Sequence, residues 1–220
     1  MNVLIVGASR GIGLELVRQY RAAGYRVVAT ARQEDGMHRI HDLDALAVAL
    51  DVNNLASVNG LARRLDGEQF GVIVYVAGVL TRGDAGLPPS QEDFDLVMQT
   101  NVLAPMRVLP SLVDVLAPQG KLALLSSRMG SVALRTNGSD WLYRASKAAV
   151  NSVVKDMSFA LQGKGVCVAM HPGWVRTDMG GPNADLSVEQ SVSDIRATLV
   201  GLTPSSNGSF LNHDGQPLAW

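Results

Sequence analysis

The chain has a single cysteine among its 220 residues, which excludes an internal disulfide. Cys167 lies in the apolar stretch Val166-Cys167-Val168-Ala169-Met170, where a buried strand thiol is expected rather than a nucleophile. Charge of neither sign dominates: Lys and Arg number 19 against 20 Asp and Glu, for a net charge of -1. Bulk composition therefore argues against a nucleic-acid partner or an anionic membrane surface. No apolar run is long enough to span a bilayer. The one at the N-terminus is a few residues long and leads straight into glycines, so neither a signal peptide nor a membrane span is expected. His38 and His41 have no ligand-like spacing around them, and no metal site is expected. Repeats, charge runs and low-complexity segments are absent as well. With 47% hydrophobic and 18% charged residues, the expectation is one well-buried cytoplasmic domain over residues 1–220.

What is present begins at the N-terminus. The run Asn2-Val3-Leu4-Ile5-Val6 suits a buried parallel strand, and Ile12, Leu16 and Val17 recur at helical spacing. Between them stands Gly7-Ala8-Ser9-Arg10-Gly11-Ile12-Gly13. Glycines tolerate positive φ and let another backbone or a ligand come close, and a helix start offers unpaired N–H groups. An anion is the natural occupant of such a turn, although a plain tight connection has the same outline.

The alternation continues downstream. Strands are expected over residues 25–31, 46–50, 70–76, 121–125, 166–170 and 208–211, and helices over 55–65, 141–161 and 187–200. A long element starts at a capping Ser90 and runs toward residue 116, with Pro105 and Pro110 expected to bend or divide it. Strands alternating with helices imply an α/β fold, a doubly wound, Rossmann-like parallel sheet in a single domain. Ligands bind such sheets at the carboxyl ends of the strands, where Gly7, Arg32, Asp51, Ala77, Gly78, Ser127, Pro172 and Gly173 all fall.

Tyr143-Arg144-Ala145-Ser146-Lys147 places a phenol and an ammonium one helical turn apart. A phenol with a pKa of about 10 is scarcely ionised at neutral pH, so acid-base work needs a nearby cation, and Lys147 is placed to supply it. Alone, the pair would read as a solvated helix face.

The spacing Gly7-x-x-x-Gly11-x-Gly13 resembles the cofactor loop of the short-chain dehydrogenase/reductase family, and Tyr143-x-x-x-Lys147 resembles its catalytic pair. Ser127, the second of Ser126-Ser127, resembles the serine that holds the substrate carbonyl, and Asn101 resembles the asparagine that bends the long helix and orders a water relay to the lysine. The resemblance implies a catalytic set of Asn101, Ser127, Tyr143 and Lys147. It also implies a cofactor site made by Gly7, Ser9, Arg10, Gly11, Ile12, Gly13, Arg32, Asp51, Val52, Ala77, Gly78, Tyr143, Lys147, Pro172, Gly173, Val175 and Thr177. Tyr75-Val76 stand where the family carries two asparagines before Ala77-Gly78. Ser127-Arg128-Met129-Gly130 and His171-Pro172-Gly173-Trp174-Val175 are most similar to sniffer-type carbonyl reductases and C-signal-like members.

The implied activity is reduction of a small-molecule carbonyl (aldehyde, ketone or quinone) with NADP(H). The alternative is a nucleotide-binding regulatory or intercellular-signalling protein of the same fold. At the end of the second strand Ala31 replaces the acid that an NAD enzyme uses for the ribose hydroxyls, and Arg32 follows it, with Arg10 as a second possible phosphate cation. Small side chains at Ala145, Ala149 and Ser152 line the catalytic helix, and the resemblance implies a homodimer.

Overall fold

A computed structural model describes residues 1–220. The chain opens with β1 (Asn2–Val6), α1 (Gly11–Ala22), β2 (Arg26–Ala31), α2 (Glu34–His41) and β3 (Leu46–Ala49). Helices α3 (Leu55–Asn59) and α4 (Leu61–Arg64) lead to β4 (Phe70–Tyr75). Then come α5 (Gln91–Met98), a π-helical turn (Gln99–Leu103), α6 (Ala104–Asp114) and β5 (Leu116–Leu125). The last part contains α7 (Trp141–Ala160), β6 (Gly165–His171), α8 (Val188–Gly201) and β7 (Ser209–Asn212).

All seven strands join one sheet in the order β3-β2-β1-β4-β5-β6-β7, and every pairing is parallel. Side chains alternate across it. Leu4, Val6, Ile73, Leu122 and Leu124 face one side, where α6 supplies Val108, Leu109 and Leu112 and α7 supplies Val150, Val153 and Val154. Val3, Ile5, Val72, Val74 and Ala123 face the other, against Leu16 and Val17 of α1 and Val192, Ile195 and Leu199 of α8. Each fully buried Leu or Ile is worth about 1.5–3 kcal/mol relative to exposure, so both helical layers are held by the sheet they cover.

Three boundaries differ from the sequence reading. The helix expected over 55–65 is broken at Gly60, the poorest helix former in the run, which separates α3 from α4. The long element does not reach residue 116. It ends at Asp114, and its interruption is the π turn at Gln99–Leu103, just before Pro105 at the start of α6, while Pro110 sits inside α6. The fifth strand starts five residues earlier than expected. Leu116 pairs with Phe70 and Lys121 with Val72, so residues 117–120 bulge out, with Gln119 at φ 61°. No helix is long and apolar enough to cross a membrane.

Candidate active site

The strand order reverses direction between β1 and β4, and the crevice at their carboxyl ends opens there. The glycine turn is built into that gap. Gly7 has φ 91°, and a Cβ on it would lie 2.7 Å from the backbone nitrogen of Ala77. A Cβ on Gly13 would overlap the Gly7 carbonyl oxygen. Neither position accepts a side chain, so the turn and the end of β4 pack backbone on backbone. Val76 and Ala77 both donate to the Val6 carbonyl (2.8 and 3.1 Å), and Gly7 N–H donates to Thr30 Oγ1 at 3.0 Å. Arg10 precedes α1 in an extended conformation with no side-chain cap, leaving the first N–H groups of a twelve-residue helix to face the cleft.

The cleft has a volume of about 570 Å³. Of the residues expected at a cofactor site, Gly7, Ser9, Arg10, Gly11, Ile12, Arg32, Asp51, Val52, Ala77, Gly78, Tyr143, Lys147, Pro172 and Thr177 line it. Gly13, Gly173 and Val175 do not. Gly13 packs beneath Gly7, a Cβ on Gly173 would strike Leu186, and buried Val175 pairs with Leu186 in an isolated bridge. Arg10 lines the cleft but is not a free cation: its guanidinium meets Asp178 at 2.6 Å, with both side chains exposed. Arg32 stands exposed at the end of β2 beside buried Ala31.

The catalytic candidates cluster at the other end. Lys147 is 5% exposed, donates to the Leu125 carbonyl oxygen at 2.9 Å, and its ammonium lies 5.7 Å from the centre of the Tyr143 ring. Burial pulls this lysine down to about 8. Burial pushes the Tyr143 phenol up to about 12, against the opposing pull of the Ser127 hydroxyl and the Arg82 charge. Desolvation is the largest influence on the phenol, and it favours the protonated form that a proton donor needs. Ser127 is buried, and its Oγ accepts from Met129 N at 3.1 Å, which holds the turn after β5.

Asn101 is brought beside this group, although its side chain is committed elsewhere. Its Oδ1 accepts from Val79 N at 2.8 Å, and its Nδ2 donates to Val79 O (2.9 Å) and to Ser146 Oγ (3.0 Å). The backbone carbonyl of Asn101 has lost its ordinary helical donor, because the residue four positions on is Pro105, which has no N–H. At Tyr75-Val76 the strand hydrogen bonds persist through the backbone, while the Tyr75 hydroxyl is buried without a partner and burial raises its pKa. His171 is also desolvated, pulled down to about 4 by burial with help from Arg128 and His213.

Sequence reasoning passed over several residues that shape the cleft. Thr30 fixes the glycine turn from the neighbouring strand, and a lone hydroxyl in an apolar strand was the only available signal. Asn53 donates to Thr100 Oγ1 at 2.8 Å, while its Oδ1 stays buried, unpaired and on the cleft wall. Arg39 of α2 donates to the Ser9 carbonyl at 2.9 Å.

A backbone cradle without room for a Cβ, an uncapped helix start and a buried acceptor at Asn53 together fit a dinucleotide. Comparison with known proteins agrees. The carbonyl reductase Sniffer of D. melanogaster superposes with a TM-score of 0.90 at 30% identity, covering 100% of this chain and 99% of that one. A carbonyl reductase from Pseudomonas aeruginosa PAO1 in complex with NADP gives a TM-score of 0.87 at 33% identity, covering 100% and 99%. The C-signal protein of Myxococcus xanthus is 44% identical over 124 residues, 54% of this chain and 74% of that protein. The model of the short chain dehydrogenase family matches residues 1–186. That match runs from the glycine turn through the tyrosine-lysine helix to the loop after β6, and with it the chain belongs to the short-chain dehydrogenase/reductase family of oxidoreductases.

Proposed function

We propose that this protein is an NADP(H)-dependent carbonyl reductase acting on aldehydes, ketones or quinones. The observation that carries the reading is buried Tyr143 held beside Lys147 in a cleft also lined by Arg32, with Ala31 rather than an acid at the end of β2. A nicotinamide cofactor held in this cleft supplies the hydride that adds to the carbonyl carbon. Ser127 donates a hydrogen bond to the carbonyl oxygen and fixes its direction. Tyr143 gives its proton to that oxygen as charge develops there, so the product leaves as a neutral alcohol. Lys147, already near its own ionisation point, stabilises the phenolate left behind, and a water held at the Asn101 carbonyl returns the proton through it. Glycines 7 and 11 admit the pyrophosphate to the start of α1, with Gly13 packed beneath Gly7. Arg32, with Arg39 nearby at Ser9, offers charge to a ribose phosphate. Exposed Met179, which lines the cleft, together with exposed Trp141 at the start of α7 and Trp174 after β6, suits an apolar substrate.

Two further parts of the reading concern assembly and place. The outward stripe Leu103, Met106 and Pro110 on the π turn and α6 lies on the same layer as the outward Ala145, Ala149 and Ser152 of α7, and a homodimer covers it. The cytoplasm is the expected compartment.

The test is turnover of a panel of aldehydes, ketones and quinones with NADPH and NADH. Tyr143→Phe keeps the ring but removes the proton donor and is expected to lower kcat on the order of 10²–10⁴-fold with NADPH binding nearly intact. Full turnover by Tyr143→Phe, with a substrate whose chemical step limits the rate, refutes the mechanism. The similarity to C-signal supports a second reading, a nucleotide-binding signalling protein of this fold. It gains if the wild type binds NADPH and turns over nothing.

A further inference from the structure

Asp140 occupies the position before α7, where an aspartate ordinarily turns its carboxylate onto the helix's first N–H groups. Here it makes no such cap, and its backbone is left-handed, at φ 52° and ψ 39°. The carboxylate turns to the loop after β4 instead. Its Oδ2 accepts from Arg82 Nη1 at 3.0 Å, and its Oδ1 accepts from Gly83 N at 3.2 Å, while Asp140 N donates to the Gly83 carbonyl. Arg82 Nη2 reaches on to the Met179 carbonyl at 3.3 Å. A single arginine thus joins the loops that follow β4, β5 and β6, three residues before Tyr143. The side chain of Asp140 is 10% exposed and that of Arg82 is 68% exposed, so the carboxylate is fixed and the guanidinium is its bridge to solvent. A left-handed backbone and a forgone cap are local costs, and such costs persist where the surrounding structure uses them.

We propose that Arg82 and Asp140 are positioning residues for Tyr143, holding the first turn of the catalytic helix and placing opposite charges beside its phenol. The proposal rests on the reading of Tyr143 as the proton donor. The groups whose charge or hydrogen bond acts on the phenol are the Ser127 hydroxyl from the loop after β5, Asp140 at the helix start and Arg82 from the loop after β4, and Lys147 lies against the ring from its own helix. Arg82 favours the phenolate and Asp140 opposes it, so in the intact pair the two influences offset each other. Removing either one breaks the same salt bridge yet leaves the opposite charge behind.

The test uses that sign difference. Arg82→Met and Asp140→Asn are compared with wild type, asparagine being chosen because it tolerates the left-handed backbone. In carbonyl reduction with NADPH, the alkaline limb of kcat/KM against pH reports loss of a proton from the Lys147–Tyr143 pair, Lys147 first, and a neighbouring charge moves both groups in the same direction. The limb is expected to move up in Arg82→Met and down in Asp140→Asn, each by about half a unit, the size of one charge acting across a partly solvated site. A role in loop packing alone predicts movement in the same direction for both, or none, and either result overturns the proposal. A second measurement is independent of turnover: ¹³Cζ-tyrosine NMR on the chain, in which Tyr143→Phe identifies the Tyr143 signal among the four tyrosines. The phenolate fraction of Tyr143 at pH 11 is expected to fall in the order Asp140→Asn, wild type, Arg82→Met. That order in a protein without reductase turnover upholds the proposal and sinks the reductase reading. Any other order sinks the proposal, whatever the turnover.

Discussion

Lys147→Met is expected to make the protein more stable at neutral pH while abolishing the proposed reductase activity. The ammonium of Lys147 is enclosed, and its hydrogen bond goes to the carbonyl oxygen of Leu125, with no carboxylate paired to it. Burial takes it from its ordinary 10.5 to about 8, which at about 1.4 kcal/mol for each tenfold change is a cost of about 3 kcal/mol for holding the charge inside. Methionine is of similar length and apolar, so it removes that cost. It leaves the Leu125 carbonyl without its donor, a loss of about 1–2 kcal/mol. The net gain is about 1–2 kcal/mol, or about 3–6 °C in Tm for a chain of this size. The pH dependence provides the sharper check. Between about 8 and 10.5 the unfolded lysine is protonated and the folded one is not, so wild-type stability gains with rising pH relative to the variant. The Tm advantage of Lys147→Met is therefore full below pH 8 and shrinks as pH rises toward 10.5. Calorimetry of both proteins without cofactor at pH 7, 8.5 and 10 measures it. A variant that melts below wild type at pH 7, or a difference that does not change with pH, refutes the desolvation argument.

Three further outcomes are expected. Wild type prefers NADPH, with kcat/KM exceeding that for NADH by about one hundredfold, the scale of one or two charge-assisted hydrogen bonds; Ala31→Asp combined with Arg32→Ala reverses the preference, and equal values for both cofactors in wild type defeat the assignment. Gly13→Ala drives a methyl into the Gly7 carbonyl, and isothermal titration should show loss of NADPH binding together with destabilisation of more than about 2 kcal/mol; tight binding by a normally stable variant contradicts the backbone-contact account. Light scattering at micromolar concentration should give a dimer mass that falls to the monomer in a Met106→Glu variant, whereas a monomeric wild type removes the assembly reading.

Much of the architecture was legible because it depends on local patterns. Four-residue apolar runs separated by helical stripes are enough to call for a parallel sheet covered on both faces, and three glycines after the first run mark its ligand end. Tyr143 and Lys147 were legible for the same reason, since a helix puts residues four apart on one side whatever else surrounds it. The break at Gly60 and the bulge at 117–120 were less visible, because each reflects a competition between weak local preference and the packing of the finished sheet.

What the linear order determined was therefore the element sequence, the glycine cradle and the tyrosine-lysine pair, all of them set by spacings shorter than a helical turn or two. Tertiary structure alone decided that Thr30 would fix Gly7 from the next strand, that Arg10 would face Asp178 across 168 positions, and that Arg82 would meet Asp140 across 58. It also decided the burial of the pair, for the sequence shows a cation near a phenol but not how completely both leave water. The physical reason is that hydrogen-bond partners distant in the chain and the cost of desolvation depend on what the whole fold packs around a side chain, and no local spacing carries that information.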